Sequence, residues 1–577
     1  MRISLSLIPI VSLAWIGSYA LAAEPDLILH HGKIVTVDNK FSIHPAMAVQ
    51  GNRILQVGAN EAVLNLKGPR TVTLDLQGRM VLPGLMDSHT HPIAAAMTEF
   101  NHPVPQMDTI PDVLDYIRSR TQALQEGAWI VVQQVFITRL REQRYPTRAE
   151  LDQVAPRHPV MFRTGPDASL NSLALKLSGI DRNFKVTDGG TGFIEKDTAT
   201  GEPTGILRNC TRYVKVKRSG KEPATADRAR RLVELFRDYN SVGLTCIGDR
   251  DASAADLALY RQLRAGGQLT VRVNASQHID TLGPLTDIQA NIRRVAADPL
   301  FTERDDFLRI IGIKTYLDGG MLTGSAYMRE PWGVSDIYAI TDPTYRGVLF
   351  IPKERLVVLV RAAVESGLQF TAHTVGDGAV HALLEAYAEV NRTTPIRKTR
   401  PCISHSNFMS REAVSELPQL GVSVDIQPAW LYLDTRTLVK HFGYDRLRWF
   451  QPLQTIFETG GVAGGGSDHM QKIGSLRSVN PYNPFLGMAT AITRRAKWYD
   501  GLLHPEEALS RKQAIRFYTI NNAWLLRNED RLGSLEAGKL ADFVVLDTDL
   551  LACPENAIER TQVLRTYLDG KLVFRGD

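Results

Sequence analysis

Two histidines separated by one residue, His89 and His91, follow the apolar run MVLPGLMDS. Because side chains alternate across a β-strand, imidazoles at positions i and i+2 point to the same side. Two neighbouring imidazole nitrogens suit a divalent metal ion such as zinc. An isolated pair of this kind also occurs for structural reasons, so its interpretation depends on where other candidate ligands fall.

Three further candidate ligands, His373, His405 and Asp468, each follow another apolar, strand-like run. Taken singly, a histidine at a strand end can be a hydrogen-bonded packing residue, and Asp468 can cap the next helix. In a parallel α/β barrel, however, the carboxyl ends of all strands meet at one face, where the active site lies. Four imidazoles and a carboxylate on that face predict a metal site.

Lys314 interrupts the apolar run IIGIKTYL. A lone ammonium group inside a strand carries a desolvation penalty of several kcal/mol, so it needs a partner or a chemical change. One interpretation is an ion pair with Asp318 or Asp249. The other is carbamylation by CO₂, which converts the amine into an anionic oxygen ligand that bridges two metal ions.

The elements that must position these residues are apolar strands alternating with amphipathic helices, a pattern typical of a parallel sheet. Helical patterns end at Gly266 and Gly367, where a C-terminal glycine stops a helix. Eight strands are predicted, at 80–89, 242–249, 269–275, 308–317, 368–373, 401–405, 422–426 and 461–468. This is an α/β fold, and we predict a (β/α)₈ TIM-like barrel over residues 81–529.

Two other regions have β-rich patterns of their own. Residues 24–80 and 530–577 contain short strands broken by Gly and Asn, and we predict that both chain ends form one small β-sandwich domain. Residues 95–240 separate the first two barrel strands by far more than a normal connection. We therefore expect an inserted subdomain after barrel strand 1, placed as a lid over the substrate.

The N-terminus carries a long uncharged stretch that ends in Ala20-Leu21-Ala22, the small-residue pattern of a cleavage site. We predict a signal peptide at 1–23 and a periplasmic or secreted protein without stable membrane insertion after cleavage. An uncleaved membrane anchor is the alternative, which Pro9 disfavours. The four cysteines are widely scattered, and Cys246 and Cys402, which lie in apolar strand-like runs, are expected to be small buried side chains rather than disulfides or ligands.

Composition limits the class of protein. The chain has 577 residues, of which 44% are hydrophobic and 22% are charged, values that exclude a disordered or fibrous chain. The formal net charge of +5 gives no reason to expect a nucleic-acid partner.

Several motifs, taken together, resemble the amidohydrolase superfamily of metal-dependent hydrolases. They are GLMDSHTHP, KTYLDGG, HTVGD, PCISHS, GGGSD and GSLEAGKLADFVVLD. The insertion adds PTRAELDQVAPRHPVMF, LNSLALKLSGI and GEPTGILRN, which are similar to the amidohydrolase-3 branch that includes N-substituted formamide deformylase. The motifs are specific for the superfamily and much less specific for the substrate.

The resemblance implies a role for each ligand position. It implies one or two divalent metal ions, for which we expect zinc, and a CO₂-derived carbamate on Lys314 that bridges the two. His89, His91 and Asp468 would hold the more buried ion, and His373 and His405 the second. Asp468 would also take the proton of the attacking water and pass it to the leaving nitrogen. Where relatives often have Glu before the sixth-strand histidine, this chain has Ser404, which changes the local hydrogen bonding.

The predicted function is metal-dependent hydrolysis of a non-peptide C–N amide bond in a small molecule, such as an N-formyl, N-acyl or cyclic amide. A carbamate, lactone or other ester hydrolase with the same site is the alternative. A non-catalytic binding or regulatory protein on this scaffold is an alternative of another class, although it would be expected to lose ligands. A homo-oligomer is compatible with the sequence.

Substrate contacts are predicted for residues near the strand ends, each of which could instead serve packing: Arg250, Tyr316, Trp332, Gln427, Trp430 and His469.

Overall fold

The computed structural model describes residues 24–133, 135–217 and 220–576. The predicted signal peptide at 1–23 lies outside these ranges. In the described part of the chain, no helix is long and apolar enough to cross a membrane.

Eight parallel strands form the central sheet, and their order in space follows their order along the chain. We number them as barrel strands 1 to 8: Leu85–Thr90, Leu244–Ala252, Arg272–His278, Leu308–Tyr316, Gln369–Thr374, Cys402–His405, Ser423–Ile426 and Val462–Gly465. The predicted barrel is confirmed. The first predicted strand is wrong in extent, because 80–89 divides into Met80–Pro83, in another sheet, and Leu85–Thr90.

Main-chain hydrogen bonds join strands 1 and 8 where their carboxyl ends meet. The amide of Asp468 donates to the His89 carbonyl, and the amide of His91 donates to the His469 carbonyl, both at 2.8 Å. Deeper in the barrel, Asn522 Nδ2 donates to the carbonyls of Met86 and Gly465, each at 2.7 Å. These contacts bring the metal-ligand candidates of the two strands together.

Helices cover the outside of the barrel, with their apolar faces against the strands. The helix Ala254–Ala265 begins where Ser253 accepts a hydrogen bond from the Asp256 amide, and Lys353–Glu365 ends near Gly367, which has φ +76°. The helices of this layer and its extensions are Ala254–Ala265, Leu285–Ala296, Pro299–Thr302, Lys353–Glu365, Asp377–Asn391, Arg411–Leu420, Pro428–Phe442, Leu453–Glu458, Pro484–Thr493, Arg511–Phe517 and Ile520–Leu525.

Both ends of the described chain contribute to two smaller sheets. One contains Arg53–Gly58, Ala46–Gln50, Leu27–His30 and Val72–Asp75. The other contains Lys571–Arg575, Val563–Leu568, Phe543–Leu546, Met80–Pro83, Lys33–Val35 and Ile43–His44. Met80–Pro83 pairs antiparallel with Phe543–Leu546, and apolar side chains from both sheets form one core. Two short helices, Asn60–Leu64 and Glu555–Ile558, accompany these sheets.

The segment between barrel strands 1 and 2 forms its own five-stranded sheet. Its strands, in spatial order, are Phe193–Lys196, Pro203–Arg208, Asp167–Leu170, Val160–Thr164 and Ile130–Gln133. Its helices are Pro92–Met97, Ile110–Ala123, Arg148–Val154, Ser172–Ser178 and Thr225–Ser241. Arg139 joins this segment to the barrel through an ion pair with buried Asp434, at 2.9 Å. The segment is therefore packed onto the barrel loops.

Candidate metal centre

His89, His91 and Asp468 come together at the mouth of the barrel. Asp468 Oδ1 lies 3.2 Å from His91 Nε2 and 3.6 Å from His89 Nε2. In the described residues, the other group of His, Cys, Asp or Glu side chains with such closely spaced ligand atoms is His30, His31 and Asp75, which is largely exposed. The buried group has the donors and the spacing that a divalent metal ion requires.

The remaining predicted ligands adjoin this group. The imidazole ring of His405 lies 4.6 Å from that of His89 and 4.5 Å from that of His373, measured between centroids. Lys314 is buried and lines the same cavity as the four histidines. The structure thus gathers all six predicted ligands from strands 1, 4, 5, 6 and 8.

Two of these predicted ligands have backbone conformations that residues other than glycine seldom adopt. His405 has φ +79°, and Asp468 has φ +56°. Such conformations cost about 1 to 3 kcal/mol each and cluster at functional sites. The turn at Asp468, three residues beyond the end of strand 8, brings its carboxylate to the histidines of strand 1.

Asp425, at the end of strand 7, orients the first histidine. Its Oδ1 lies 2.9 Å from His89 Nδ1, so that His89 donates this proton and turns Nε2 toward Asp468. His89 Nε2 is buried and has no hydrogen-bond partner. A buried imidazole nitrogen with a free lone pair fits a metal ion, and so does this set of nitrogen and oxygen donors. Gln427 orients His405 as Asp425 orients His89, because Gln427 Oε1 lies 2.8 Å from His405 Nδ1.

Sequence reasoning missed Asp425, although one signal was available, a single carboxylate in the apolar run VSVDI. Ser404 donates a hydrogen bond to Asp425 Oδ2 at 3.1 Å, and Arg250 Nε lies 3.3 Å from the same oxygen. Ser404 therefore supports His89 indirectly, through Asp425. This is the hydrogen bonding found at the position where relatives often have Glu.

We expect Asp425→Asn to weaken metal binding about 10- to 100-fold, because the loss of a carboxylate behind a ligating histidine has effects of that size. The measurement is a competition between protein and a zinc chelator. Asp434→Asn is the matched control, since Asp434 is also buried but contacts Arg139 outside the centre. Equal zinc affinity in Asp425→Asn and wild type would contradict the assignment.

Burial controls protonation in the centre. It lowers the pKa of His373 to about 3 and those of His89 and His405 well below the usual value, which keeps these imidazoles neutral, as ligands must be. Burial also raises the pKa of Asp468. For His91, burial lowers the pKa, but the hydrogen bond and charge of Asp468 outweigh it and raise the pKa overall.

Lys314 does not form the predicted alternative ion pair. Asp249 accepts a hydrogen bond from Tyr260 at 2.7 Å, and Asp318 accepts the amides of Val375 and Gly376 at 2.9 Å. No carboxylate of the described chain lies within ion-pair distance of Lys314, whose pKa is lowered by burial. The amine faces the cavity without a charged partner.

A cavity of about 1490 Å³ extends from the metal centre into the inserted segment. Apolar side chains from both parts line it, including Phe100, Phe136, Phe350, Met321 and Trp430. A cavity of this size and lining accommodates an organic molecule with an apolar group.

Two of the six predicted substrate contacts, Tyr316 and Trp430, line this cavity. The Tyr316 hydroxyl donates to Asp251 Oδ2 at 2.9 Å, and its ring lies 5.5 Å from that of His373. The Trp430 indole stacks on His405, with 4.8 Å between the rings. Both are therefore in position to contact a molecule bound at the metal centre.

The other four predicted contacts do not line the cavity. Arg250 lies within strand 2, fully buried, and donates to the Ser88 carbonyl and to Gln369. Gln427 supports His405 from behind. Buried Trp332 donates to the Ala326 carbonyl, and His469 contacts the Tyr239 hydroxyl at 2.7 Å. In this structure, these four side chains contact other protein groups, and their predicted role in substrate binding stays a prediction.

Comparisons with known proteins identify the family of this chain. The sequence profile of the amidohydrolase family matches residues 72–574. N-substituted formamide deformylase of Arthrobacter pascens is 30% identical over 562 residues, which cover 95% of this chain and 98% of that protein.

Solved structures share the fold. A metal-dependent hydrolase from Pyrococcus furiosus superposes with a TM-score of 0.64 at 22% identity, covering 91% of this chain and 100% of its own. Atrazine chlorohydrolase TrzN from Arthrobacter aurescens TC1, solved with zinc, superposes with a TM-score of 0.50 at 16% identity, covering 95% of this chain and 94% of its own.

Proposed function

This chain belongs to the amidohydrolase family, and from that premise we propose that it hydrolyses an N-formyl, N-acyl or cyclic amide of a small organic molecule. The observation that carries the proposal is the convergence of His89, His91, Lys314, His373, His405 and Asp468 at one cavity. A non-catalytic descendant would be expected to lose part of this set. All six positions hold residues that can act as ligands.

His89, His91 and Asp468 would hold one divalent metal ion, for which we propose zinc, and His373 and His405 a second. We propose that Lys314 carries a carbamate between them, which its burial and lack of a charged partner support. Such ions, when bound, lower the pKa of water and polarise a carbonyl oxygen.

Asp468 is the residue we assign to proton transfer. Its Oδ1 faces His89 and His91, whereas Oδ2 lies 3.3 Å from Asn480 Nδ2, which also donates to the Asp468 carbonyl at 2.7 Å. With its orientation fixed in this way, the carboxylate can accept a proton from the attacking water and deliver it to the departing nitrogen. An amide needs this second transfer, because an amine leaves only after protonation.

The inserted segment contributes part of the cavity wall, and we propose that it limits the access of water to the bound substrate. The N-terminal sequence at 1–23 supports a periplasmic or secreted location, where the substrate would be a small molecule met after export.

A matched substrate panel combined with elemental analysis tests the proposal. N-formyl and N-acyl amines, lactams, carbamates and lactones of similar size are incubated with the purified protein, and released amine or acid is measured. We expect turnover of amides and bound divalent metal. Turnover confined to lactones or other esters would favour the alternative, and no turnover with no metal would contradict both.

We expect His373→Ala to lose about half of the bound metal and to reduce hydrolysis at least about 100-fold, since a missing ligand removes one of the bound ions. His381→Ala is the control, because His381 contacts Ser410 Oγ on the exterior and does not line the cavity. Thermal unfolding of both variants establishes that the barrel is intact. Full activity with normal stability in His373→Ala would refute the assignment of this ligand.

A further inference from the structure

Arg163 places a cation in the part of the cavity wall that the inserted segment contributes. It lies in the insertion strand Val160–Thr164 and pairs in the sheet with Gln133, and both residues line the cavity. Its side chain is exposed, yet burial lowers its pKa. The exposed part of the Arg163 side chain therefore contributes to the cavity lining.

The guanidinium of Arg163 has few partners within the described chain. Its hydrogen bond goes from Nε to the Gly165 carbonyl, at 3.2 Å, and no described carboxylate lies within 4.0 Å of it. Neighbouring acids are engaged elsewhere: Asp251, for example, contacts His278 at 2.7 Å as well as the Tyr316 hydroxyl. A guanidinium that lines a cavity without a carboxylate partner is available to bind an anion.

The charges of the cavity wall are separated in space. In the described residues, the inserted segment contributes one acid, Glu222, and six cations: Arg120, Arg163, Arg212, Lys217, Lys221 and Arg228. The barrel contributes one cation, Lys314, and six acids: Asp249, Asp251, Asp256, Asp280, Asp318 and Asp468. This polarity would orient a substrate with its negative end toward the insertion.

Among those six cations, Arg163 acts electrostatically on a residue that adjoins the metal-ligand candidates. Its charge acts on the phenol of Tyr316, whose ring lies 5.5 Å from that of His373. Arg212 and Lys221, in contrast, have ion pairs with Asp188 and Asp227. Arg163 thus lines the same cavity as the metal-ligand candidates and is available to a ligand.

We propose that Arg163 binds a carboxylate of the substrate, at the end remote from the bond that is cleaved. The planar guanidinium presents parallel N–H donors that match a carboxylate, and Gln133 lies beside it on the same wall. The inference rests on the proposed function and narrows its substrates to amides with an anionic group. Arg163 then selects substrates, whereas the metal ligands and Asp468 carry the chemistry.

Hydroxamates that bind the metal centre test the proposal without turnover. The probes are ω-carboxyalkyl hydroxamates with two to five methylene groups and uncharged alkyl hydroxamates of equal length, measured by calorimetry on the metal-loaded enzyme. We expect wild type to bind at least one carboxylate probe about 10- to 100-fold more tightly than its uncharged match, as for a hydrogen-bonded charge pair. Arg163→Gln should remove this preference, and Arg163→Lys should keep part of it.

Arg157→Gln is the matched control, because Arg157 is an exposed arginine of the same segment that pairs with Glu126 outside the cavity. It should retain the wild-type preference. An equal preference in Arg163→Gln and wild type, or none in wild type, would overturn the role of Arg163. Failure of the uncharged hydroxamates to bind would instead identify a failure of the metal-centre assignment, and it would remove the basis of this inference with it.

Discussion

Asp468→Asn is expected to lower kcat about 100- to 10,000-fold, the range that positioned proton transfer contributes. Asparagine has nearly the same shape and keeps one oxygen that can face His89 and His91, so part of the bound metal should remain. It cannot accept a proton at neutral pH, and the leaving nitrogen would depart unprotonated. The loss should therefore be larger for amides than for esters with good leaving groups.

The measurement compares kcat for a matched amide and ester in wild type and in Asp468→Asn, together with metal content. Asp256→Asn is a control that changes another carboxylate of the cavity wall, one that caps a helix through Ser253. It should leave kcat near the wild-type value. If Asp468→Asn turned over like wild type, the proton-transfer role would have to be abandoned.

Lys314→Met is expected to reduce bound metal from two ions per chain to one or fewer and to lower kcat/KM at least about 1000-fold, because it would remove the proposed bridging group of the proposed two-metal centre. The same substitution should raise the Tm of the metal-free protein, since a buried amine without an ion pair is replaced by an apolar side chain of similar length. A gain in stability together with a loss of function is the expected signature of this residue.

Elemental analysis and thermal unfolding of the metal-free protein measure these two effects. Lys472→Met is the control, because Lys472 is also a buried lysine but contacts the Pro105 carbonyl rather than the cavity. It should retain both metal ions. Two ions per chain in Lys314→Met would show that the lysine does not bridge them.

The barrel, and the strand ends at which the candidate ligands lie, could be predicted from the sequence because a parallel barrel imposes a simple rule. Its strands are buried on both faces and appear as continuous apolar runs, and a polar residue at the end of such a run lies at the active-site face. His373 and His405 follow this rule directly. The apolar run at 80–89 was predicted as one strand, but Gly84 separates two strands of different sheets. Gly84 packs closely on strand 2, since a Cβ at this position would lie only 2.2 Å from Thr245 Oγ1.

The direction of a side chain near a strand end could not be read in the same way. The pairing of strands 2 and 3 shifts register between Asp249 and Ala252, and Arg250 points into the barrel interior rather than to the cavity. His469 is turned away because its main chain pairs with Thr90 across the seam of strands 1 and 8. Arg163 could not be connected with the site for another reason, since it lines the cavity from a separate sheet and no local sequence pattern relates that sheet to the barrel strands.

The pairing of Met80–Pro83 with Phe543–Leu546 links segments separated by more than 450 residues. During synthesis, the first of these strands must wait for nearly the whole chain before its partner exists, and closing so long a loop is entropically slow. Its four residues are all buried in the finished protein, so until then they present an uncovered apolar edge of the kind that promotes self-association. Shortened forms that stop before residue 543 would therefore be prone to aggregate, and a chaperone that shields the nascent N-terminal strands would improve the yield of the complete enzyme.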